Sequence, residues 1–264
     1  MLIRLSAIFI ALLLIGSLPT LLLDQLVIDK TAHGFFYGQC EKMWAHRGYS
    51  KSHPENSIAS FTEAIELGAK GIELDIFYDI DSDDYVVSHD FPYNLKDGKI
   101  LTLGDVFQTL GKSTYYWLDF KNLLTMSARQ VHDARSRLHL LTKAYDLGDK
   151  IIVESKSSDK LQKFSQKGLK TSYWVNFNEN IGEVNHWYHV RRIKLKYLLG
   201  HFTSISMDYS HYTQRLKNSM KGLPVLLFTI NDDSLVNKYL QDDSVKVILT
   251  DENLYTLRSK ECQM

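Results

Sequence analysis

The sequence has no net charge to offer a partner. Its 31 Lys and Arg residues balance 31 Asp and Glu, and the pI is near 7.2. Without a basic surplus there is no electrostatic footprint for nucleic acid, so that partner class is set aside. Low-complexity tracts and short internal repeats are also missing, and only four of the 264 residues are proline. With 44% hydrophobic residues, 15 Tyr and 12 Phe, the chain has the make-up of one large, ordered, enzyme-sized domain.

Charge disappears altogether between Leu5 and Leu23, in LSAIFIALLLIGSLPTLLL, with Arg4 just before it. That length can span a bilayer. The first reading is an uncleaved signal-anchor or transmembrane helix over residues 1–24, although Pro19 would kink its last turn. A cleaved signal peptide is the rival, but a small-x-small site is hard to find before Asp24 and Asp29. A buried core helix comes last. Arg4 alone places the N-terminus inside and the rest outside the cytoplasm. The chain then reads as membrane-anchored on the periplasmic or extracellular side, or as secreted if the segment is removed. Residues 25–41 read as a linker and 42–264 as the catalytic domain.

Beyond the linker, apolar runs that read as strands alternate with helical stretches. The strands are 43–46, 71–77, 115–120, 151–154, 171–175, 204–208, 225–230 and 246–250. Helices are expected at 56–67, 127–146, 158–167, 183–198, 211–220 and 233–241, the first capped by Asn56 and stopped by Gly68. Eight strands with intervening helices predict an α/β fold, a (β/α)8 TIM barrel. The alternative, an open doubly wound sheet, lacks its usual Gly-rich loop after the first strand.

In such a barrel, chemistry belongs at the C-terminal strand ends. His46 and Arg47 end the first strand; Glu73 and Asp75, two apart on the second, share one strand face. His89-Asp90 ends an adjoining extended run, DYVVSHDF, and Asp119 and Lys121 share a face of the third strand. Ile72, Leu74 and Ile76 already supply an apolar face, so Glu73 and Asp75 point into the barrel, where unpaired carboxylates are costly. A divalent cation, Mg²⁺ or Ca²⁺, would relieve that cost, with Asp119 as a third oxygen donor. The cationic side chains call for an anionic ligand, and two imidazoles can exchange protons near neutral pH. A phosphate diester satisfies all of these. Each residue alone has a plainer reading as a structural or surface group.

AHRGYSKSHPENSIASFTEAIELGAKGIELDI, followed by VVSHD and WLDFK, resembles the signature of the glycerophosphodiester phosphodiesterase family. LFTIND and VILTDEN are weaker echoes, and the likeness covers roughly residues 43–255. The resemblance implies a TIM barrel related to phosphatidylinositol-specific phospholipases C. It implies His46 and His89 as the acid–base pair, and Arg47 and Lys121 as phosphate-binding groups. Glu73, Asp75 and Asp119 would be metal ligands, with Glu55 near metal and substrate. In the family the nucleophile can be the substrate's own glycerol hydroxyl, through a cyclic phosphate. There are departures. Asp119 stands where the family more often has Glu, one methylene longer; Phe228 replaces a usual Trp; Asn253 replaces a frequent Pro; and the segment after Asp90 is short.

The leading expectation is a metal-dependent glycerophosphodiester phosphodiesterase giving sn-glycerol 3-phosphate and an alcohol. The alternatives are a membrane-associated phospholipase acting on lysophospholipid or phospholipid, and a non-catalytic barrel that binds phosphorylated ligands. Residues 176–200 carry Arg191, Arg192, Lys194 and Lys196, a solvated helix face or a contact for anionic lipid headgroups. The two cysteines, Cys40 before the first strand and Cys262 after an expected eighth helix, belong near one seam at the barrel's N-terminal face. They are expected either to pair, in an oxidising compartment, or to remain free.

Overall fold

Strands buried on both faces need unbroken apolar runs, and these runs become the staves of a barrel. The computed structural model describes residues 20–34, 39–95, 98–177, 181–258 and 262. Its strands are β1 (Met43–Ala45), β2 (Gly71–Asp79), β3 (Asp84–Val87), β4 (Tyr115–Phe120), β5 (Ile151–Ser155), β6 (Lys170–Trp174), β7 (Ser204–Asp208), β8 (Val225–Phe228) and β9 (Val245–Thr250). The order β1-β9-β8-β7-β6-β5-β4-β2 closes through β1–β2 pairing, all parallel, as the sequence predicts for a TIM barrel. β3 is extra: it pairs antiparallel with the outer half of β2, from Ile76↔Val87 to Asp79↔Asp84.

Alternation along each strand sorts the side chains. Trp44, Trp117, Ile152, Leu226, Val247 and Leu249 fill the barrel interior. Ile72, Leu74 and Ile76 instead pack outward against the helices. Trp44 fits because Gly71 faces it; a Cβ on Gly71 would lie 2.3 Å from the indole ring.

Around the barrel run α2 (Ile58–Glu66), α3 (Leu103–Leu110), α4 (Ala128–Ala144), α5 (Ser158–Ser165), α6 (Glu183–Leu198), α7 (Gln214–Ser219) and α8 (Asp233–Leu240). Ser57, not Asn56, caps α2, in a reciprocal capping box with Ser60. No α-helix follows β9 among the described residues: 251–258 form bends and turns where the sequence predicts an eighth barrel helix. The bridge itself is present: Cys40 and Cys262 form a disulfide with Cα atoms 5.6 Å apart.

The expected linker begins as a helix, α1, over residues 20–32. It is docked on the barrel: Val27 is fully buried, Asp24 pairs with Lys194, and Lys30 donates to the carbonyls of Tyr197 and Leu198. Arg191 donates to Thr20 Oγ1 at 2.7 Å, so α1 and α6 run in the same direction. Burial of Val27 and these polar clamps make this stretch part of the domain. Most of the predicted transmembrane segment, residues 1–19, lies outside the described residues. Among those described, no helix is long and apolar enough to cross a membrane.

Candidate active site

The loop after β1 carries His46, Arg47 and Glu55. Arg47, Gly48 and Asn56 all take positive φ (55°, 79° and 54°), which folds the loop back over the barrel mouth. Gly48 is required there, since a Cβ would meet Ser60 Oγ at 2.4 Å. The turn aims the backbone N–H of Arg47 at Glu73 Oε2, 3.0 Å away.

Strand β2 brings up Glu73 and Asp75, and the register Asp75↔Asp119 sets the third carboxylate beside them. Glu73, Asp75 and Asp119 each present an oxygen within 4.8 Å of the others, an arrangement that can hold a cation. Two cations already lie among them. Lys121 Nζ is 2.6 Å from Asp75 Oδ1 and 2.5 Å from Asp119 Oδ2, and Arg47 Nε is 3.1 Å from Asp75 Oδ2. Asn56 completes the frame, donating its Nδ2–H to Asp75 Oδ2 at 2.7 Å and accepting the Asp75 N–H at 3.0 Å.

Burial raises the Glu73 carboxyl well above its usual range, and Asp75 and Asp119 add to the effect. Burial also raises Asp119, against the pull of Lys121. Lys121 itself is raised, because the Asp119 and Asp75 carboxylates outweigh its own burial.

Both imidazoles lie at the mouth, each tied to an acid. His46 Nδ1 is 2.8 Å from Asp251 Oδ1, and His89 Nδ1 is 3.0 Å from Asp90 Oδ1. The other His46 nitrogen, Nε2, is 4.0 Å from Glu73 Oε2. His46, His89, Arg47, Lys121, Glu73 and Asp119 line one cavity of about 250 Å³. Its far wall is Trp174 and Phe228, packed edge to face at 5.3 Å.

Glu55 is placed differently from the other expected residues. It stands outside the carboxylate group and accepts from Arg47 Nη1 at 3.0 Å, so it acts on the guanidinium. Sequence reasoning missed two residues. Asp251 sits in VILTDEN but finds His46 only through the β1–β9 pairing. Glu154, at the end of β5, lines the same cavity and is 3% exposed. Burial first, and Asp119 second, raise its carboxyl well above the usual range.

The model of the glycerophosphoryl diester phosphodiesterase family matches residues 46–95. A glycerophosphodiester phosphodiesterase of Caldanaerobacter subterraneus is 69% identical over 32 residues, 12% of this chain and 13% of that protein. Another, from Bacillus altitudinis, is 49% identical over 35 residues, 13% of this chain and 14% of the relative. The aligned stretches thus span only 13–14% of the length of these relatives. Solved structures carry the likeness further. A glycerophosphodiester phosphodiesterase of Thermotoga maritima superposes with a TM-score of 0.61 and 25% identity, over 80% of this chain and 94% of that one. An Oleispira antarctica phosphodiesterase, solved with the product sn-glycerol-3-phosphate, shares the fold (TM-score 0.61, 19% identity, 82% of this chain and 94% of that one).

Proposed function

Since the chain carries the signature and the barrel of the glycerophosphoryl diester phosphodiesterase family, we propose that it hydrolyses glycerophosphodiesters. The products are sn-glycerol 3-phosphate and an alcohol such as choline or ethanolamine. One observation carries the reading: Glu73 and Asp119, clustered with Asp75, share a single cavity with two acid-tethered imidazoles, Arg47 and Lys121.

Glu73, Asp75 and Asp119 would hold Mg²⁺ or Ca²⁺, whose chemistry there is to polarise a phosphoryl oxygen. Arg47 and Lys121 bind the phosphate and balance the charge that develops on its oxygens. Glu55 holds the guanidinium in place. With Nδ1 of His46 on Asp251 and Nδ1 of His89 on Asp90, each ring is left with Nε2 for proton transfer. One imidazole accepts the proton of the attacking glycerol hydroxyl while the other donates a proton to the departing alcohol oxygen. With the roles exchanged, the pair then deprotonates a water that opens the cyclic phosphate and reprotonates the glycerol oxygen. Trp174 and Phe228 give the glycerol or head-group carbons an apolar wall.

A second reading, a lysophospholipid or phospholipid substrate, is favoured by the course of α1. Because α1 runs parallel to α6, and α6 starts at the catalytic end of β6, the N-terminal end of α1 at Thr20 is directed toward the side of the barrel mouth. α6 presents Val184, Trp187 and Tyr188 to solvent near that end, with Arg191 stacked on Trp187. A membrane held at that end would face the active site, with the domain on the periplasmic or extracellular side, where the disulfide persists.

Assaying purified protein on glycerophosphocholine and on lysophosphatidylcholine vesicles, with and without chelator, tests both readings. Chelator-sensitive release of choline from the soluble diester supports the first. Turnover of the vesicles alone favours the second, and no turnover of either sinks both.

A further inference from the structure

We propose that Glu154, beside the group of Glu73, Asp75 and Asp119, is a fourth carboxylate ligand of the active-site cation. The inference rests on the metal-dependent reading above. Its first support is register. Asp119 and Glu154 are direct partners across β4 and β5, and each lies two residues beyond an interior side chain, Trp117 and Ile152. Both carboxyls therefore enter the barrel in the same layer, side by side. The chain has the shorter acid on β4 and, next to it, the longer acid on β5.

The second support is the state of Glu154 itself. It is 3% exposed, it lines the cavity of His46, Glu73 and Asp119, and its Oε2 has no hydrogen bond of good geometry. Trp117 Nε1 and Ser206 Oγ are near enough to favour its ionised form, yet neither closes a well-formed bond. A buried carboxyl left in that condition is costly, and native interiors seldom tolerate one without a partner. Lys121 does not fill the role, since its ammonium is engaged by Asp75 and Asp119.

The charge balance points the same way. Glu73, Asp75, Asp119 and Glu154 are four buried carboxyls, against the two permanent cations Arg47 and Lys121. Fully ionised, the group is short by two positive charges, the charge of a divalent ion. Trp117 and Ser206 can then hold one oxygen of Glu154 while the other turns to the cation.

The test is calorimetric titration of Mg²⁺, Ca²⁺ and Mn²⁺ into the detergent-purified, chelator-stripped full chain and its variants. Glu154→Gln preserves shape but removes the charge, and it should weaken binding about tenfold or more. Asp119→Glu in the Glu154→Gln background should recover most of the loss. Should Glu154→Gln fail to fold, Glu154→Asp, which withdraws the oxygen by one methylene, carries the same expectation. Wild-type affinity in a folded Glu154→Gln or Glu154→Asp protein overturns the inference. Absence of binding by the wild type overturns the metal-dependent reading on which it rests.

Discussion

His46 reaches across the seam between the first and last barrel strands, its Nδ1 2.8 Å from Oδ1 of Asp251. Asp251 is itself held, accepting from Asn231 Nδ2 at 2.8 Å. Burial would raise the Asp251 carboxyl, but His46 and Asn231 outweigh it and bring it below its usual range. Asp251 as a carboxylate is an acceptor for an N–H on Nδ1, which turns Nε2 toward the cavity.

From this pair follows the first prediction. His46→Ala and His89→Ala should each lower kcat on the order of a hundredfold or more, with the fold intact. Asp251→Ala should give a smaller loss in kcat and an unchanged KM, because it disturbs the orientation and tautomer of the ring but leaves the imidazole in place. Steady-state kinetics on a soluble diester decide it, and near-wild-type kcat in either histidine variant would discard the acid–base assignment.

Asn56 should prove a positioning residue for Asp75. Asn56→Ala removes both hydrogen bonds to Asp75, orphans a buried N–H, and puts alanine at φ 54°. Urea denaturation should show a loss of about 1–3 kcal/mol. Cation affinity should fall as well, since Asp75 loses its brace. Unchanged stability and affinity would mean that Lys121 and Arg47 alone hold the carboxylate.

Gly48→Ala should be among the most damaging small changes in the chain. The added Cβ meets Ser60 Oγ at 2.4 Å and the Ser60 carbonyl carbon at 2.7 Å, at φ 79°. A loss of about 3 kcal/mol is expected, with activity falling alongside as the Arg47 N–H leaves Glu73. Thermal melting of the variant, and its activity well below the melting range, measure the two effects separately.

The pH dependence of stability has a definite sign. In protein stripped of cations, burial and neighbouring carboxylates raise Glu73 and Glu154 above their usual range. The folded chain then holds these protons more tightly than the unfolded chain. That contribution is complete below the unfolded value of about 4.5 and is lost as pH rises through the higher folded values. A divalent cation binds the ionised form and offsets the loss. The rise in melting temperature on adding Mg²⁺ or Ca²⁺ should therefore be larger at about pH 8 than at about pH 5. A shift independent of pH would show that these carboxyls do not bind the ion.

The barrel was legible because its strands are buried runs bounded by helices, and the spacing of Glu73 with Asp75 was enough to place both inside. What escaped depends on neighbours distant in sequence. Asn56 and Ser57 are both good helix caps; only the presence of Asp75 draws Asn56 away and leaves the cap to Ser57. Residues 25–32 have a linker's mixture of polar and apolar residues, and they are helical because Val27 finds a pocket beside α6 and α7. Glu154 has no chemical companion within its own strand, although the two-residue alternation applied to Ile152 would have turned it inward. Asp251 needed the β1–β9 contact to acquire meaning.

The bridge between Cys40 and Cys262 gives the barrel a mechanical property. Strands β1 and β9 are the first and last barrel strands in the chain, paired through Met43↔Ile248, Trp44↔Leu249 and Ala45↔Thr250. The disulfide joins the chain on either side of that short seam, with a sequence separation of 222. The domain is thereby a covalent ring. Tension applied through the N-terminal segment passes into the Cys40–Cys262 link before it can peel β1 from its neighbours. The loop of β1 that carries His46 and Arg47 stays seated while the rest of the molecule is pulled.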